Sequence, residues 1–386
     1  MSDPYTGREQ TGAKHFILRH YLQALAFKVL TFSDLTYVDG FSGPWQSKTE
    51  DFSDSSFMIA IEVLRDAQQK IIERHGMRRV RCFFSEADSE AFAQLQAAVA
   101  PFHQPGRGFE IQTFPGRFED AVDEIQHFVA SSFPLIFIDP TGWAGYPFDK
   151  IRPLFQRRKC EVLINFMYDF VNRFAYSDDP VIIESLNPIL GGAGWRERLD
   201  PGLPRGAAVE KLFRETLKVA GQFEYVVSTR IDRATAERPH FFITYGTKSS
   251  DGLKTFRETE YVALRAHAKS RARAIEKRRE DQTNIGDMFP DLRREVQEAS
   301  IDDLVKEEKV RASADLMDYL GRHAPLHFSQ VVTRLLQPYM LRETNVKDIC
   351  VDLARAGRIE NTWGGGNRKP KDTDIIGATA NRQKPA

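Results

Sequence analysis

Three carboxylates stand at the ends of short apolar runs: Asp39 after Leu35 to Val38, Glu86 after Val80 to Phe84 and a serine, and Asp139 after Leu135 to Ile138. An ionised carboxylate offers only acceptor oxygens, so this trio suits a ligand that brings hydroxyl, amino or ammonium hydrogens. The first belongs to Tyr37-Val38-Asp39-Gly40-Phe41-Ser42-Gly43-Pro44. Glycines there allow a sharp turn and leave room that a Cβ would fill, and ligands of open α/β sheets bind beyond the carboxyl ends of strands. A nucleotide-like ligand is therefore expected at this turn, although the stretch taken alone reads equally well as a plain turn. It lacks the G-x-G-x-x-G spacing of a dinucleotide site, because Gly43 is followed by Pro44-Trp45 and not by a helix start.

The elements that must position these carboxylates follow from hydrophobic period. Strand-like runs at 35–38, 80–84, 109–113, 135–138 and 162–164 alternate with helical spacings such as Phe57, Ile61, Leu64 and Phe118, Val122, Ile125, Val129. Such alternation predicts a parallel sheet covered on both faces. A helix around 207–220 precedes two further strands, 225–229 and 241–245, close enough in sequence to close the sheet as an antiparallel pair. An apolar stripe of Ile17, Tyr21, Leu22, Leu25 and Val29 predicts a helix ahead of the first strand, with Lys14 and His15 at its start near the ligand turn or simply structural.

Five parallel strands finished by an antiparallel pair resemble the class I S-adenosylmethionine-dependent methyltransferases. More closely, DGFSGPW, the strand end FFSEAD, FIDPTGWAGYPF and EVLINF resemble the three-Cys-motif partner protein family over residues 13 to 250. The resemblance implies a Rossmann-like α/β methyltransferase domain over 1–255, S-adenosylmethionine as cofactor, and association with a separate three-Cys-motif protein. It assigns Asp39, Gly40, Phe41 and Gly43 to the cofactor's methionine end and Glu86 to the ribose hydroxyls. Arg117 and Phe118 fall where the adenine ring often sits, with Phe118 equally suited to the core. Asp139 and Pro140 match the amine-binding D-P-P-Y loop of amino-group methyltransferases, and Trp143 would take the aromatic role one residue late; Thr141 and Gly142 depart from that pattern. Asn165 and Arg173 are further candidates for the acceptor side. Trp45 replaces a glycine usual in the family, and Glu86 lies further from Gly43 than in most such sites, which requires a long excursion holding a helix begun at Ser55 or Ser56. Asp139 precedes a proline and has no evident role in the core, so its replacement by asparagine is expected to change stability by under about 1 kcal/mol.

Beyond residue 255 the character changes. Residues 256–310 read as a charged helical linker, basic from Arg265 to Arg279 and then acidic, either solvated or touching phosphates. From about 311 to 386 three apolar stripes predict three short helices, the third opened by Thr344 and Asn345 as N-caps and stopped at Ala356-Gly357. A Gly-rich tip (364–367) with Arg368, Lys369 and Lys371 follows, so the tail resembles a winged helix. In a nucleic-acid role Arg342 and Lys347 would lie near a groove of DNA or RNA while the three tip cations meet phosphates; protein docking is the alternative.

The 386 residues carry 54 Lys+Arg and 54 Asp+Glu, so any nucleic-acid contact must come from local clusters. Cys82, Cys160 and Cys350 are isolated from one another, which argues against a metal site or disulfide framework and for a cytoplasmic protein. No membrane span or signal peptide is expected. Two functional readings stay open at this level: an active methyltransferase, and a non-catalytic adaptor that keeps the fold.

Overall fold

Residues 5–44, 47–283, 290–364 and 368–379 are described in the computed structural model; Trp45 and the tip residues 365–367 lie outside them. The chain divides into two units, Met1–Gly252 with Arg273–Asp287, and Leu253–Ala272 with Met288–Ala386.

In the first unit α1 (Glu9–Val29) and β1 (Leu35–Asp39) are followed by α2 (Ser56–His75), β2 (Val80–Glu86), α3 (Ser89–Val99) and β3 (Phe109–Pro115). Next come α4 (Val122–Val129), β4 (Phe133–Ile138), α5 (Phe148–Phe155), β5 (Glu161–Phe166), α6 (Tyr168–Phe174) and α7 (Pro180–Leu190). The unit continues with α8 (Arg205–Gly221), β6 (Tyr225–Asp232), β7 (Pro239–Thr247) and the start of α9 (Ser250–Thr283). The strands form one sheet in the order β3-β2-β1-β4-β5-β7-β6. Five strands are parallel, and β7 runs antiparallel between β5 and β6. This is a Rossmann-like sheet, closed by the antiparallel pair that the sequence led us to expect.

Every residue of β1 and β5 is buried, as expected for central strands with helices on both faces. The pleat divides their side chains. Val38, Phe83, Ile136 and Ile164 face a core shared with α4, α5, α7 and α8, whereas Tyr37 stacks with Phe137 and meets Phe84 edge-on on the other face, where Phe57 of α2 joins them. The long excursion between β1 and β2 is real: Ser55 caps α2 by accepting from the Met58 amide, and Gly76 ends it at φ +77°. At the far end of the sheet the buried Glu161 accepts from Tyr21 at 2.5 Å and Thr247 at 2.9 Å, tying α1, β5 and β7 together.

The strand order fixes where a ligand can sit. Between β1 and β4 the chain's progress across the sheet reverses, so the loops leaving them part and open a crevice at their carboxyl ends. Asp39 ends β1 and Asp139 follows β4 at this crevice.

The second unit contains α10 (Pro290–Arg322), β8 (Leu326–His327), α11 (Phe328–Leu336), α12 (Glu343–Arg355) and β9 (Ile375–Ile376). β8 pairs antiparallel with β9, and Ile359 bridges Ala378. The third helix begins before the residues named as its caps: Asn345 lies inside it and reaches back to the Arg342 amide at 2.9 Å. It stops as expected, with Gly357 at φ +68° and the Arg358 amide bonded to the Leu353 carbonyl. The part of 256–310 that belongs to this unit is more than a solvated connector. Arg257, buried, pairs with Glu260 at 2.6 Å and donates to the carbonyls of Leu336 and Gln337, satisfying the end of α11.

Candidate functional site

Two cavities lie at the carboxyl ends of the parallel strands, and Phe41 lines both. The larger, about 420 Å³, is walled by Lys14 of α1, Gly43, Ser56 of α2, Asp139, Asn165 and His240, among others. The smaller, about 250 Å³, is walled by Gly40, Glu86, Arg117, Phe118, Glu119 and Gly145.

Gly40 is required at its position. A Cβ there would stand 2.7 Å from Cγ of Phe118, a ring that is 1% exposed and belongs to the core while also edging the smaller cavity. Phe41 in turn lies over Gly145, where an added Cβ would be 3.1 Å from the ring. Glu86 reaches the smaller cavity, and its Oε1 accepts from the Asp88 amide at 2.8 Å. Arg117 stands at the rim, largely exposed, 3.9 Å from Glu119.

Asp39 reaches neither cavity. Its carboxylate turns back to accept from the Phe41 amide at 3.0 Å, Ser56 Oγ at 2.7 Å and Tyr37 Oη at 3.3 Å, so it shapes the glycine turn and holds the start of α2. Burial pushes its carboxyl up to about 6, against the pull of the Ser56 and Phe41 hydrogen bonds and with a further push from Asp139. Ser56 is the group through which it meets the larger cavity.

Asp139 lines the larger cavity with Pro140, but it is not idle in the fold. One oxygen is ion-paired with Lys14 and the other accepts from Asn165 Nδ2 at 2.7 Å. Lys14 and Asp139 are 11% and 14% exposed, so the pair is largely withdrawn from water, and removing one partner would leave the other charge without its counter-ion. Trp143 is absent from both walls. Its indole packs against Phe174 at 5.3 Å and donates to Ser185 Oγ at 3.1 Å, which turns it toward α6 and α7.

Several groups at these walls had no motif to announce them. Asp54 accepts from Arg8, Ser47, Thr49 and the Lys48 amide, pinning the long loop to the start of α1; burial pulls its carboxyl up, yet these hydrogen bonds hold it well below the usual carboxylate range. Glu119 has a side chain only 8% exposed, and its Oε2 has no hydrogen-bond partner. His240, at the start of β7, has no hydrogen-bond partner on its buried Nδ1, and burial, then Arg233 and Lys14, press its pKa down. His15, named beside Lys14, is buried against Tyr5 at 3.1 Å, with its pKa lowered chiefly by burial. Among the described residues no group of side chains suits a metal ion, and no helix is long and apolar enough to cross a membrane.

No family model matches the chain, and no curated protein matches it. Solved structures do. An O-methyltransferase from Bacillus cereus in complex with S-adenosylhomocysteine is 15% identical, over 60% of this chain and 80% of that one, with a TM-score of 0.32. The O-methyltransferase TomG from Streptomyces achromogenes, in complex with S-adenosylmethionine, is 14% identical over 60% and 79%, also with a TM-score of 0.32. A protein from Corynebacterium glutamicum is 11% identical over 59% and 80%, with a TM-score of 0.28. The assignment of the fold rests on the strand order itself.

Proposed function

We propose that the chain is an S-adenosylmethionine-dependent methyltransferase, with adenosine in the smaller cavity and the methionine end and methyl acceptor in the larger. The observation that carries this reading is that two cavities with Phe41 as a common wall lie at the β1–β4 crevice, the switch point where sheets of this order bind ligands. The residues present fit the cofactor. Glu86 supplies acceptors for ribose hydroxyls, the unpartnered Oε2 of Glu119 suits an adenine amino group, and Phe41 and Phe118 supply apolar surface for a ring. The amino end of α2, at Ser55 and Ser56, favours the methionine carboxylate. When bound, the cofactor supplies a methyl group on a sulfonium; the chain's own task is to hold donor and acceptor in line and keep water out.

The finer reading is that the acceptor is a nucleic acid or a nucleic-acid-associated partner, and that the chain works with a three-Cys-motif protein. Its support is the second unit, whose order of helix, strand, helix, helix and returning strand suits a winged helix with Arg368, Lys369 and Lys371 on the wing. An adaptor without catalysis is favoured by one feature: Phe41 stands between the two cavities. Calorimetric titration decides the central point. Saturable S-adenosylmethionine binding, weakened by about 1.5–3 kcal/mol in Glu86→Ala, is expected; absence of heat with the folded protein refutes the cofactor reading.

A further inference from the structure

Asn165 closes the end of β5 at 3% exposure, and its amide orientation is dictated by its neighbour. Nδ2 faces Asp139 Oδ1 at 2.7 Å, where only a donor belongs, so Oδ1 is the atom left over, buried and with no partner. An orphaned acceptor in a cavity wall is costly unless a ligand supplies the hydrogen. His240 stands on the same wall at the start of β7, the strand paired antiparallel with β5, and its Nδ1 is buried with no hydrogen-bond partner. Asp139 already accepts at both oxygens, from Lys14 and from Asn165, and its charge is matched by the Lys14 ammonium, whereas Asn165 Oδ1 has no donor at all.

Two separate hydrogen acceptors specify the ligand. A hydroxyl has one hydrogen and cannot serve both, a carboxylate has none to give, and an alkylammonium would bring a second cation beside Lys14. An uncharged –NH2 serves both. Phe41 and Phe241 on the cavity wall offer apolar faces to a flat ring carrying it. We infer that the larger cavity receives the amino group of a heteroaromatic ring, with Asn165 Oδ1 holding one hydrogen and His240 accepting the other. Asp139, clamped by Lys14, is then a positioning residue that sets the Asn165 amide. This inference rests on the methyltransferase reading above.

In the reaction the amino nitrogen forms a bond to the methyl carbon as the C–S bond breaks, and sulfur keeps that electron pair. The nitrogen sheds one proton to His240, which releases it to solvent, while the second hydrogen stays on Asn165. Atoms and charge balance without any further reactant.

The test uses the full chain, methyl-labelled S-adenosylmethionine, and oligo(dA), oligo(dC), adenosine and cytidine as amino-bearing probes, with oligo(dT), which has no amino group, as the contrast. Label is expected in at least one amino-bearing probe and absent from oligo(dT); the free nucleosides against the oligomers show whether a strand is needed. His240→Gln should lower kcat by about 100-fold, the lower end of what a positioned base supplies, with cofactor affinity unchanged. Asn165→Leu should weaken binding of the reactive probe in the presence of S-adenosylhomocysteine by about 10-fold or more, a measurement that needs no turnover. Should Asn165→Leu fail to fold, His240→Gln alone still decides. Label in oligo(dT), label in none of the amino probes despite cofactor binding, or parental turnover by His240→Gln would each overturn the inference. Failure of the parent to bind the cofactor would instead remove the reading beneath it.

Discussion

The ring of Phe118 covers the α-carbon of Gly40 so closely that any side chain at position 40 would occupy the ring's own space. Phe118 also edges the smaller cavity, so whatever displaces it alters that cavity. Gly40→Ala should therefore cost about 1–3 kcal/mol through overpacking and abolish measurable S-adenosylmethionine binding. Gly142→Ala, at a position with nothing within 4 Å of its added Cβ, is the control and should do neither. Urea unfolding and calorimetry read both effects.

Removing the charge of Asp139 strands Lys14. Both side chains are mostly buried, and breaking such a pair from one side leaves an uncompensated ammonium, so Asp139→Asn should lose about 3 kcal/mol. Lys14→Met combined with Asp139→Asn should recover much of that loss. Equal stability of Asp139→Asn and the parent in urea would mean the pair carries no weight.

Asp39 gives stability a slope in acid. Its folded pKa, about 6, lies above its ordinary value, so the native state holds a proton between about pH 4 and pH 6 that the unfolded chain has already released. The contribution of this group is thus greatest below about pH 4 and declines as pH rises to about 6, by about 2–3 kcal/mol. Asp39→Asn cannot titrate. The difference in unfolding free energy between variant and parent should therefore shift across that window and stay constant above it; a flat difference from pH 4 to 7 would remove the buried charge from the account.

Nucleic-acid binding by the second unit would depend on Arg368, Lys369 and Lys371. Lys369 already pairs with Asp348 at 2.7 Å and Lys347 with Glu343 at 2.6 Å, and Arg342 lies over the Tyr261 ring at 3.8 Å, which leaves Arg368 and Lys371 as the freer candidates among the described residues. In the full chain, replacing all three tip residues by alanine should weaken DNA or RNA binding and reduce the salt slope of log K by about 2–3. An unchanged slope would favour protein docking.

The strands were legible because β-branched and aromatic runs end at glycine, proline or acid, and the antiparallel closing pair was legible from its short connection. The walls of the site were legible at three strand tips that carry a polar residue: Glu86, Asp139 and Asn165 all reach a cavity. Asp39 was found but its work was not, because its partner Ser56 lies on the far side of a long loop whose path no local pattern reveals. Trp143 was misdirected by a motif written for another loop length; Ser185 and Phe174, which hold it, come from later helices. His240 and Glu119 sit in no recognisable spacing, and their significance comes from an empty hydrogen-bond position, a property of three-dimensional packing.

Leu35 pairs with Val80 on one side and with Phe133 on the other. As the chain is synthesised, β1 therefore emerges long before its second neighbour, with about a hundred residues still to be added, a wait of about 5–20 s at ordinary rates of translation. For that time one edge of the central strand has unpaired amides and carbonyls that any other extended segment could seize. The crevice between β1 and β4 is accordingly a late product of biosynthesis, and a nascent chain halted before Phe133 would have the glycine turn but no opposite wall for it.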